Sequence, residues 1–156
     1  MLWVPPGTFL MGSPEGEEAR DNDEQQHEVE LTHGFYLGKY AVTQEQYQQV
    51  MSNNPSEFTS IGKTVPVENV SWDDAQAFCE KLNAFSADEG GPPTGWCYQL
   101  PTEAQWEYAC RAASDKPFSI GDGRNISSEL ANFNGDYPYG EGSKGKYLEQ
   151  TAPVGS

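Results

Sequence analysis

Three short segments of this chain each carry a complete helix-start signal, and little else in the sequence permits a helix. Thr43 is followed three residues later by Gln46, Ser71 by Asp74 and Thr102 by Gln105. In such a pair the first side chain accepts from a backbone N–H of the opening turn, and the second reaches back to the N–H of the cap. Pro101 removes one further N–H just before the third start. Apolar residues three and four apart then predict one inward face per helix. In AVTQEQYQQVM that face is Tyr47, Val50 and Met51, and the helix should stop near Asn53-Asn54-Pro55. In SWDDAQAFCEKLNAF it is Trp72, Ala75, Phe78, Cys79, Leu82 and Phe85. In LPTEAQWEYACRAA it is Trp106, Ala109, Cys110 and Ala113, so Trp72, Trp106 and Cys110 are all expected to point inward.

Outside these segments Gly and Pro dominate the local chemistry. The 156 residues include 16 Gly and 11 Pro, and the mean hydropathy is -0.72, which places much of the backbone in loops. WVPPGTFLM and VELTHGFYLGKY hold β-prone pieces suited to short edge strands. The loop EGGPPTG separates the second helix from the third. After Ser114 regularity fades into GDGRNISSELANFNGDYPYGEGSKGKY, which leads to TAPVGS. A long irregular segment in a compact domain is expected to be functional or tied down by an ion. The reading is one α+β domain over residues 1–156, loop-rich, with three short helices and small antiparallel sheets instead of alternating βαβ units.

Charge removes two classes of partner. Nine basic residues against 24 acidic ones give a net charge of -15, which repels phosphate backbones and anionic lipid surfaces. Neither nucleic acid nor a membrane is expected as a partner, and no run is long enough to span a bilayer. The acid concentrates in residues 15–30, where Arg20 is the sole Lys or Arg. This reads as a solvated loop, since the D-x-D-x-D-G spacing of a calcium loop is missing. His27 and His33, the only histidines, lack a third metal ligand and read as structural. There is no G-x-S-x-G and no phosphate loop. Glu103 and Glu107 lie one turn apart; the first complements the helix dipole, and the second is expected to buttress a neighbouring loop. Trp96 and the Tyr137-Pro138-Tyr139 triplet are loop aromatics and candidates for stacking on sugars, whereas Trp72 and Trp106 are assigned to the core.

The succession GTFLMGS, HEVELTHGFYLGKYAVTQEQY, PVENVSWDDAQAFC, LPTEAQWEYACRAA, AN and TAPVGS resembles the formylglycine-generating enzyme family, the sulfatase-modifying factor domain. The match runs the length of the chain in order. It implies a C-type-lectin-like fold with little regular structure. In the family's enzymes a cysteine pair in the C-terminal part binds copper and, with oxygen, converts a cysteine of a sulfatase to formylglycine. That part follows a TAPVGS-like segment, so the resemblance puts every catalytic position beyond Ser156. The expectation is an incomplete domain without cysteine-oxidase activity of its own. It would meet a sulfatase-like substrate only if a C-terminal part completes it, and exposed sheet edges would favour self-association or a complementing chain. The alternatives are a non-enzymatic module that binds a protein, peptide or other ligand, and an accessory domain of a larger protein.

The resemblance also assigns the cysteines and one metal site. Cys79 and Cys110 match positions that pair with C-terminal cysteines in oxidised family members; here they and Cys97 are expected to be free, the first two as buried thiols. Pairing among the three is the alternative, and it requires Cα atoms within about 4.4–6.8 Å. A family calcium site maps onto the Asn132 side chain and the carbonyls of Phe133 and Leu148. Its carboxylate position is filled by Lys146. Either Asp136 or Glu141 then supplies the missing charge, or the ammonium takes the ion's place.

Overall fold

The computed structural model describes residues 1–88 and 95–156, with side chains described through residue 84 and again from residue 95. Phe85 and most of EGGPPTG therefore lie outside the described side chains and residues. The architecture is α+β. Four strands, β1 (Leu2–Val4), β2 (Gly7–Met11), β3 (His27–Leu31) and β4 (Phe35–Leu37), precede three helices, α1 (Gln44–Met51), α2 (Trp72–Asp88) and α3 (Glu103–Arg111). The strands form two small antiparallel sheets, β1 with β4 and β2 with β3. Among the described residues no helix is long and apolar enough to cross a membrane.

All three cap signals operate. Thr43 N–H donates to Gln46 Oε1 at 3.0 Å and Thr43 Oγ1 accepts from Gln46 N–H at 3.3 Å. The Thr102 and Gln105 pair repeats this at 2.9 and 3.2 Å. At α2, Asp74 Oδ2 accepts from Ser71 N–H at 3.1 Å while Ser71 Oγ accepts from Asp74 N–H at 3.1 Å. α1 ends at Ser52, whose φ of 66° closes the last turn in the left-handed region, just before Asn53-Asn54-Pro55.

The chain divides into two compact units. The first comprises Met1–Leu37 and Pro101–Glu149, the second Gly38–Leu100 and Gln150–Ser156. In the first, β2 pairs with β3 from Gly7↔Leu31 to Met11↔His27. Alternation turns Phe9 and Val29 to one side, and the Phe9 ring packs on Tyr108 of α3 with centroids 5.2 Å apart. Gly7 sits where a Cβ would collide with the Tyr108 hydroxyl, so the glycine leaves room for that ring over the strand.

The second unit holds the apolar core. Val65, Tyr47 and Phe78 are 0%, 3% and 8% exposed, and the Tyr47 and Phe78 rings stack at 5.4 Å. Burial also pushes the Tyr47 phenol up, and the nearby Asp74 charge adds to the shift. Gln44 is buried too, its amide donating to Phe58 C=O at 3.3 Å and accepting from Asn54 Nδ2 at 2.9 Å.

The inward faces expected on two of the helices need correction. On α2, Ala75, Phe78, Cys79 and Leu82 do turn inward, but Trp72 is 67% exposed. On α3, Trp106 is 58% exposed, Cys110 is exposed and Ala113 lies exposed past the helix end, so Cys110 is not a buried thiol and of the expected face only Ala109 is half-buried. The inward face of α3 carries Ala104, Glu107, Tyr108 and Arg111 together with Ala109. Partners remote in sequence satisfy these polar groups, and that allows them to turn in.

Candidate functional site

The first unit brings together the segments that carry the candidate residues. α3 is clamped to the end of β2: Glu107 Oε1 accepts from Gly12 N–H at 2.9 Å, and Arg111 Nη2 donates to Gly12 C=O at 2.6 Å. Glu107 and Arg111 are themselves paired at 2.7 Å, with side chains 20% and 19% exposed. Glu107 thus buttresses a loop, as its spacing suggested. Gly12 has φ of 88° and no room for a Cβ against the Glu24 and Gln25 backbone, so the tight turn requires glycine. Beyond it Ser13 is buried and donates to Glu24 Oε2 at 2.6 Å, while Arg20 Nε donates to Ser13 C=O at 3.1 Å. A polar cavity of about 380 Å³ opens beside Ser13, Glu15, Arg20, Asn22, Gln25 and Gln26.

The late tract is ordered by its own side chains. Asp122 Oδ1 accepts from the N–H groups of Arg124 and Asn125 at 2.9 and 2.8 Å, and Oδ2 accepts from Asn125 Nδ2 at 2.8 Å. Three donors hold the Asp122 carboxyl down at about 2. Asn125 Oδ1 in turn accepts from Glu141 N–H at 2.7 Å, and Ile126 exchanges backbone bonds with Tyr139 at 3.3 and 3.1 Å. Farther along, Asn134 Oδ1 accepts from Asp136 N–H at 3.1 Å, and Gly145 N–H donates to Gly135 C=O at 2.9 Å. Gly135 is buried against the carbonyls of Gly145 and Lys146.

That last seam brings Gly135 against Gly145 and Lys146, within the stretch 132–148 to which the family resemblance gave calcium. The donor set falls short of what the ion asks. Phe133 is half-buried, but Asn132, Lys146 and Leu148 are exposed, and the residue that the resemblance puts at the carboxylate position is a lysine. Calcium takes six or more oxygens with anionic charge among them. Asp136 and Glu141 are exposed, and among the described residues no group of three or more His, Cys, Asp or Glu side chains could hold a metal ion. Cys79, Cys97 and Cys110 are all free; Cys79 is half-buried, and burial pushes its thiol up.

The remaining candidates separate cleanly. His27 Nδ1 lies 2.9 Å from Gln25 C=O and His33 Nδ1 lies 2.9 Å from Thr32 Oγ1, both exposed. Tyr139 donates to Glu18 C=O at 2.9 Å and meets Phe118 edge-on at 5.0 Å, a structural role. Its phenol is raised by desolvation and then by Glu17, Glu18 and Glu24. Tyr137 and Trp96 present 76% and 43% of their surface to solvent. The buttressing role of Glu107 was expected but its Gly12 and Arg111 partners were not, Gly12 lying 95 and 99 residues from the two side chains, and the Asp122 network, formed within an unpatterned loop, was not foreseen.

Small paired sheets, short capped helices and long loops locked by side-chain hydrogen bonds define a loop-rich α+β fold of the C-type-lectin-like kind. The chain belongs to the sulfatase-modifying factor enzyme 1-like domain family, whose sequence profile matches residues 1–156. It is similar to a chaperone protein, LppX of Paenibacillus barcinonensis, at 34% identity over 62% of this chain and 43% of that protein. It is also similar to the solved structure of PvdO from Pseudomonas aeruginosa, with a TM-score of 0.62 and 25% identity over 77% of this chain and 50% of the other. The chain thus spans about half the length of these relatives.

Proposed function

We propose that this chain is a protein-binding member of its family, which presents exposed aromatic side chains from rigid supports to a polypeptide partner. The observation that carries the reading is the outward set of the first unit: Trp106 on α3 and Tyr137 in the late tract, 58% and 76% exposed. Both stand on backbone held by the Glu107–Arg111 clamp and the Asp122 network. Aromatics displayed on a preorganised surface contribute contact area at little cost in ordering. The similarity to a protein named as a chaperone supports the same reading. A sulfatase-like polypeptide is the finer form of this partner. The family's copper chemistry needs a cysteine pair that the resemblance places after the TAPVGS-like segment.

Two assays test the proposal on the full chain. Added to a heat-unfolded client protein, the chain is expected to suppress light scattering by aggregates, and Trp106→Ser with Tyr137→Ser to lose most of that effect. Multi-angle scattering on the same samples separates client capture from self-association. Incubation with Cu(I), oxygen and a cysteine peptide of sulfatase type should leave no aldehyde reactive toward a hydrazide probe. Aldehyde formation would establish oxidase activity, and unchanged client protection in the double variant would remove the binding surface.

A further inference from the structure

We propose that segments 122–126 and 139–142 of the late tract are held together through the Asp122 carboxylate and Asn125 without a metal ion, and that Lys146 is the residue that excludes calcium from the neighbouring stretch 132–148. A bound cation orders a loop by gathering oxygens from separate segments around one charge. Here the gathering is done in the opposite polarity. One carboxylate collects three N–H donors, from Arg124, Asn125 and the Asn125 side chain, and the same Asn125 amide carries the link on to Glu141 N–H. The segments 122–126 and 139–142 are thereby joined with two further backbone bonds between Ile126 and Tyr139.

The second seam makes the same point by space. Gly135 is buried with its α-carbon facing the carbonyl oxygens of Gly145 and Lys146, and Gly145 N–H donates to Gly135 C=O at 2.9 Å. At Gly135 the backbone of the two segments is in direct contact, with no room for a Cβ between them. The oxygens expected there, one amide and two carbonyls, are neutral, and the side chain at the anionic position is a lysine. A divalent ion at that place would meet only neutral oxygens from these positions and a lysine where the resemblance calls for a carboxylate.

The test is thermal unfolding by calorimetry and isothermal titration of the full chain, in a chelator and in millimolar calcium chloride. Tm is expected to be the same in both conditions, with no binding heat. Asp122→Ala is expected to lower Tm by several degrees in both, and Asp122→Asn, which keeps one acceptor oxygen, to lower it less; the milder variant serves if the alanine chain does not fold. Lys146→Asp is expected to acquire a rise in Tm with calcium that the chelator reverses. A calcium-dependent rise in Tm of the unsubstituted chain overturns the proposal. So does an Asp122→Ala chain as stable as the parent, and a calcium-blind Lys146→Asp chain overturns the role given to Lys146.

Discussion

The two compact units are stabilised by different physics. The second gathers Tyr47, Val65 and Phe78 into an apolar centre, the most buried hydrophobic side chains among the described residues. The first has no hydrophobic side chain buried to that degree among its described residues; its most enclosed side chain is the hydroxyl of Ser13, and its segments are joined by Glu107, Arg111, Asp122 and Asn125. Apolar burial is non-directional and tolerates small shifts. A polar network is worth its energy only while every partner is in place, and losing one exposes the desolvation cost of the other. One unit should therefore fail by cavity, the other by broken partnership.

Phe78→Ala is the most damaging change by this argument. It empties the stack against Tyr47 and is expected to cost about 3–5 kcal/mol in chemical denaturation. Glu107→Ala comes next at about 2 kcal/mol, because Gly12 N–H and the Arg111 guanidinium lose their acceptor together. Glu107→Gln, which keeps an acceptor oxygen, should recover part of that loss, whereas a purely apolar role would make the two variants alike. Thr43→Ala and Thr102→Ala remove matching caps, one in each unit, and each should cost about 1 kcal/mol. If the Thr102 variant costs far more, the first unit is more cooperative than its separate networks imply.

The smallest signal should be an acid one. Asp122 is held at about 2, below the ordinary 3.8, so the network's contribution is complete above the ordinary carboxylate range and is lost as pH falls through about 2. Amide exchange at Arg124 and Asn125 should accelerate over that window and not at neutral pH. Asp74, lowered by its Ser71 hydrogen bonds, gives a matched control in the second unit. Equal acid sensitivity of the α2 cap would erase the contrast between the units.

The helix starts were legible because a capping box is a local device, complete within four residues. The stopping point of α1 and the strand pieces around the acidic loop were legible for the same reason. The facing of α3 was not. Trp106, Ala109, Cys110 and Ala113 satisfy the periodicity rule, yet Glu107 and Arg111 turn inward because Gly12, some 95 residues earlier, supplies both a donor and an acceptor. Trp72, at the first turn of α2, also fits the periodicity and is exposed. In the late tract the order comes from Asp122 and Asn125, common loop residues whose pairing leaves no periodic trace. The mismatch at Lys146 could be seen in the sequence, whereas the carboxylate that organises the tract could be found only with its donors in view.

The Gly12 clamp also has a consequence in time. The β2–β3 ladder closes locally, its end pair Met11↔His27 needing only the first segment of the unit. The Gly12 bonds to Glu107 and Arg111 must wait for a helix made after the whole insert of residues 38–100. The added closure entropy is modest, about 1.5 kcal/mol, but the delay during vectorial synthesis is unavoidable. A nascent chain emerging from the ribosome therefore carries a formed hairpin whose far end is still unfastened. Pulse-labelled exchange should find the Gly12 amide among the last in its strand neighbourhood to become protected.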